Sequence, residues 1–230
     1  MPEHINVKQR KDILISKEYQ RKVTLANSIS YSLSPATTFP LLFFFLAGLL
    51  LSQLNEIVIV SVVALLFYCI IPVAYLLFML QKGKIESIEI PNQANRIKPM
   101  AMSLICLSFP LFWFYYFYGD YSIIWQSSLI ILGYSIVFIL ITLFTKVSVH
   151  SSSFTIFYAL ATYAWITEKG WSSSVILGIS VGFFILIAIF WSRLILKAHN
   201  ANQLILGIFV SMIIFISMIG VKHFWVWMNL

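Results

Sequence analysis

The chain has 230 residues, of which 60% are hydrophobic, 17% aromatic and only 10% charged, and its mean hydropathy is +0.92. That excludes a water-soluble domain: lipid is the solvent, and since the bilayer core offers no water to unpaired backbone groups, apolar runs of about 20 residues mean helices. The net charge of +7 needs no nucleic-acid partner, because a basic cytoplasmic rim facing anionic lipid headgroups accounts for it.

The expected fold is all-α, a polytopic membrane bundle of six to seven transmembrane helices, with residues 1–36 as a cytoplasmic or interfacial segment and 37–230 as the membrane domain. The opening "MPEHINVKQRKDILISKEYQRK" has no apolar core behind a short basic start, so no cleaved secretory signal is expected and an interfacial helix is. A short first span over 37–53 is separated from the second, 57–80, only by "QLNE". A re-entrant or strongly tilted arrangement there would leave six spans instead of seven. Cys69 and Cys106, the two cysteines, lie inside apolar runs and read as small hydrophobes.

After the second span, "IPNQANRIKP" at 90–99 brings Arg96 and Lys98 to the mouth of the third, 99–118. That span ends in a run of aromatics around Gly119 and Asp120, which suits the interfacial belt. The fourth span, 122–145, leads into "KVSVHSSS" at 146–153, which sets Lys146, Ser148 and His150 at the start of a short fifth span, 151–167. The sixth, 173–196, carries Ser192 and Arg193 at its end, and "FWSRLILKAHNANQLILG" at 190–207 runs through His199 into the seventh, 204–228.

With seven spans, 13 of the 15 Lys and Arg fall on the side that holds the N-terminus and all three polar clusters, leaving Lys169 and Lys222 opposite. Setting aside Arg96, Lys98, Lys146, Arg193 and Lys197, the ratio is still 8 to 2. By the positive-inside rule this face is cytoplasmic, and the chain is expected in the inner (plasma) membrane.

The three clusters suit phosphoryl transfer, since a phosphate dianion is held by several fixed cationic donors and by a helix N-terminus aimed at it. Arg193 supplies a planar fork, Lys98 and Lys146 point charges, and Arg96 an alternative fork beside Lys98. Ser148 and the backbone N–H groups of Ser151, Ser152 and Ser153 are further candidate donors. Two histidines divide the chemistry, one attacking phosphorus and the other protonating the departing oxygen. The clusters contain no carboxylate, and the scheme requires neither metal nor cofactor. Six residues along one helix turn the face by about 240°, so Arg193 and His199 act together only if the chain breaks between them. With His199 opening the next helix, Gln203 at i+4 would hold its imidazole through the side-chain carbonyl.

"SRLILKAHNANQ" resembles the SRxxxxxHxxxD signature of the type 2 phosphatidic acid phosphatase superfamily, with matches at Ser192, Arg193 and His199. "VSVH" at 147–150 is similar to that family's PSGH, matching Ser148 and His150, and "RIKP" at 96–99 to the end of its KxxxxxxRP element. The resemblance covers about 90–210 and extends into "SYSLSPATTFPLL". This sequence departs from the family at Pro91, at Lys98 in place of arginine, at Val147 and Val149, and at Gln203 in place of aspartate. The resemblance implies a membrane-embedded phosphatase of a lipid phosphate or prenyl diphosphate, with His199 as the residue phosphorylated and His150 as proton donor. The alternative is a catalytically degenerate member that binds or moves anionic lipids.

Overall fold

In the computed structural model the backbone is described for residues 7–87, 97–120 and 122–228, and the side chains for 17–87, 97–120 and 122–220. Among these residues there is no strand, and eight helices follow one another: α1 Val7–Ser32, α2 Pro35–Leu50, α3 Leu54–Gln81, α4 Ile97–Tyr118, α5 Ile123–Phe144, α6 Val149–Lys169, α7 Ser173–Ile195 and α8 Ala201–Met228. By length and composition, α3, α4, α5, α7 and α8 can each cross a bilayer, so the chain is a multi-pass helical membrane protein.

Helix ends sit where local chemistry dictates. Pro35 lacks an N–H and keeps Ser34 extended, so α1 and α2 cannot be one helix, and their axes bend by 49°. They count as a sixth span if this bent pair crosses as a unit. Within α3, Pro72 removes the bond that the Tyr68 carbonyl would accept. The preceding residues Leu65–Ile70 adopt the wider π-helix, with Ile71 N–H donating to Leu66 O. Serines 122, 148 and 172 start α5, α6 and α7, each accepting a backbone N–H three residues on.

The fifth span expected at 151–167 falls on α6, whose 21 residues are long enough to cross a bilayer but more polar than the five helices above. It has no need to be apolar, because protein surrounds it: α6 packs on α8, α2, α7 and α5, and Ser151–Ile156 are six consecutive buried residues. The 16-residue α2 is likewise more interior than its neighbours, with Phe39, Leu42, Phe43, Leu46 and Ala47 in the main core. Phe43 stacks on Tyr68 at 4.9 Å and on Phe114 at 5.1 Å, which joins α2 to α3 and α4. Lipid-facing surface falls on α3, α4, α5, α7 and α8, where Val62, Phe112, Phe144, Phe184 and Phe209 are exposed.

Candidate functional site

The start of α6 and the start of α8 are bonded to each other. Ser148 N–H donates to Gln203 O (3.3 Å), Ser151 Oγ to Leu204 O (3.1 Å) and Ser211 Oγ to Ser152 O (3.0 Å). This approach is possible because residue 207 is glycine: a Cβ there would stand 2.8 Å from Ser151 Oγ and 2.9 Å from the Ser148 carbonyl oxygen. A third helix joins in, with Tyr134 of α5 bonded to Ser152 Oγ at 2.6 Å. The cluster at 146–153 and the cluster at 192–203 therefore form one end of the bundle. His150 sits two residues beyond Ser148 and His199 four before Gln203.

Between Arg193 and His199 the chain breaks, the arrangement that lets the two act together. Leu196 and Lys197 close α7 in a Schellman turn: Ala198 N–H donates to Arg193 O (3.2 Å) and Lys197 N–H to Leu194 O (3.0 Å). The left-handed residue of that turn is not glycine but Lys197, at φ 52°. Asn200 then caps α8 reciprocally with Gln203. Gln203 N–H donates to Asn200 Oδ1 (3.0 Å), and Asn200 N–H donates to Gln203 Oε1 (3.3 Å).

The same Gln203 oxygen lies 3.1 Å from His199 Nδ1. His199 stands just before the cap residue and not in the helix, so the contact comes from the capping turn. The carbonyl oxygen only accepts, hence Nδ1 is the donor in this contact, and when the ring is neutral its lone pair falls on Nε2.

Arg193 is buried to 3% exposure, and its Nη1 donates to Ser30 Oγ on α1. His150 is half-buried in the first turn of α6 and accepts Ser153 Oγ–H on its carbonyl at 3.3 Å. Lys146 is half-buried in the preceding loop. Lys98 is exposed at the start of α4, which pairs with α5, the next helix in the chain, so its α-carbon lies at the same end of that hairpin as Lys146. Arg96 lies outside the described residues.

The serines are placed differently from the anion donors expected of them. Ser148 is fully buried and its hydroxyl accepts from Ser151 N–H at 3.4 Å, while its carbonyl accepts Ser152 N–H at 3.2 Å. Two of the three backbone N–H groups expected to face phosphate are thus bound within the helix start. Ser192, also fully buried, donates to Ile189 O at 2.9 Å. Sequence reasoning missed Ser30, Gly207, Ser211 and Tyr134. For Gly207 and Ser211 a signal was present, since small residues four apart mark a close helix contact in membranes.

No family model, no curated protein and no solved structure matches the chain. Fold and site together define the class: a multi-pass helical membrane protein with two histidines, an arginine and a lysine on adjoining segments at one end of its bundle.

Proposed function

We propose that the chain is a membrane-embedded phosphatase of the type 2 phosphatidic acid phosphatase kind, acting on a lipid phosphate or prenyl diphosphate. It works in the inner membrane, with its active end on the cytoplasmic side. The observation that carries this reading is the His199–Gln203 contact, which with Nδ1 as the donor makes Nε2 the ring nitrogen that attacks phosphorus. As the N–P bond forms, the bond from phosphorus to the ester or anhydride oxygen breaks, and His150, in its protonated form, gives that oxygen its proton. Water then attacks the phosphohistidine, His150 takes the water's proton, and inorganic phosphate leaves with His199 restored. Arg193, Lys146 and Lys98 balance the charge of the phosphoryl oxygens. The lipid tail lies between lipid-facing helices while the headgroup meets the charged end.

A non-catalytic chain that binds anionic lipids is the second reading, favoured by the burial of Ser148 and Ser192, which removes two of the expected phosphate contacts. Phosphate release by the purified protein from phosphatidate, phosphatidylglycerol phosphate and prenyl diphosphates separates the two. Turnover of at least one, abolished in His199→Ala and reduced about 10²–10⁴-fold in His150→Ala, is the expected result. Silence on all of them points to the binding reading, and turnover by His199→Ala rules out the covalent route.

A further inference from the structure

α1 is the most polar helix of the chain, with Lys17, Glu18, Gln20, Arg21, Lys22 and Thr24 all exposed. Yet one face of its last turns is closed: Ala26 is 0% and Ser30 1% exposed, four residues apart on the side that packs against α7. From that face Ser30 Oγ accepts the Nη1–H of Arg193, a bond across 163 residues of sequence between two buried groups.

We propose that Ser30 is a positioning residue that fixes the plane of the Arg193 guanidinium, so that α1 completes the anion-binding end of the bundle. The inference rests on the phosphatase reading of that end. A guanidinium is a flat fork, and holding one Nη while the backbone is held fixes both the torsions of the long side chain and the direction of its other N–H groups. Here the backbone is held too, because the Arg193 carbonyl accepts Ala198 N–H in the turn that ends α7. A fork set in advance loses less freedom when phosphate arrives, and affinity rises by that difference. Without Ser30 the same charge remains but this Nη loses its fixed direction.

The test uses the purified full chain in detergent, with inorganic phosphate titrated at constant ionic strength and binding read from the rise in unfolding temperature. Ser30→Ala is expected to weaken phosphate about tenfold, the scale of one hydrogen bond to a charged group. Ser30→Cys, similar in volume but a poor acceptor, should behave alike, and Ser30→Thr should restore wild-type binding. In an Arg193→Ala background, Ser30→Ala should cause no further loss, which a merely structural serine would not satisfy. Wild-type affinity in both Ser30→Ala and Ser30→Cys, or losses that add to that of Arg193→Ala, overturns the inference and leaves the phosphatase reading standing. A wild-type chain that binds no phosphate removes the anion site itself, and both fall together.

Discussion

Gly207→Ala is the sharpest test of how the candidate site is assembled. The new Cβ would lie 2.8 Å from Ser151 Oγ, 2.9 Å from the Ser148 carbonyl oxygen and 3.4 Å from Val147 Cγ1. The hydroxyl can rotate away, but only by giving up its bond to Leu204 O, at about 1 kcal/mol. The carbonyl oxygen cannot rotate, since it is backbone and already accepts Ser152 N–H. Relief requires α6 and α8 to separate by a few tenths of an ångström, and overpacking of this kind costs about 1–3 kcal/mol. Alanine returns about 0.5–1 kcal/mol through its better helix propensity, so a net loss of about 2 kcal/mol is expected. Unfolding of the purified protein in detergent measures it, with Gly48→Ala as control: nothing lies within 4 Å of a Cβ at Gly48, and that variant should be neutral or slightly more stable. Phosphate release should fall by about tenfold as well, because a 1 Å misplacement of catalytic groups costs about 10²-fold and this shift is smaller. Gly207→Ala unfolding alongside the wild type and Gly48→Ala would refute the close approach and, with it, the joining of the two histidine segments.

Gln203→Glu keeps the length that reaches both His199 Nδ1 and Asn200 N–H and adds a charge that stabilises the cation forming on the ring, so turnover should rise about tenfold, or about 1.4 kcal/mol. Gln203→Leu should lower both turnover and stability, and a Leu variant as active as the wild type at every pH shows that the contact is idle. Sidedness is testable with single cysteines at Asn92 and Asn202 after Cys69 and Cys106 are replaced. Both should resist an impermeant thiol reagent in intact cells, and labelling without lysis reverses the orientation drawn from the charge count.

The apolar runs made five lipid-facing helices legible, because hydropathy reports what touches lipid. The same measure could not distinguish α6, whose neighbours are protein, and it gave no sign that the serines read as candidate phosphate donors are also packed at the joint with α8. Ser30 was illegible for a different reason: its partner is 163 residues away, and no local pattern encodes that pairing. Local rules worked best on the segment from Arg193 to Gln203. Helical rotation called for a break there if Arg193 and His199 were to act together, and the i+4 spacing brought Gln203 to His199, although through a capping turn and not along one helical face.

What the rotation could not supply was the residue that makes the break, for 193–199 contains neither glycine nor proline. The chain turns at Lys197 with φ 52°, in a region that costs a residue with a Cβ about 1–2 kcal/mol. Lys197→Gly removes that cost and loses about 0.4–1 kcal/mol to the greater freedom of the unfolded chain, so a net gain of about 0.5–1 kcal/mol is expected. Lys197→Ala is the control, since it removes the same exposed charge while keeping the Cβ in the left-handed region. Unfolding of the two variants side by side should show the glycine form as the more stable, with turnover unchanged because the turn itself is the same. If Lys197→Gly is no more stable than Lys197→Ala, residue 197 is not left-handed in the folded protein, and the turn that separates Arg193 from His199 must be built in another way.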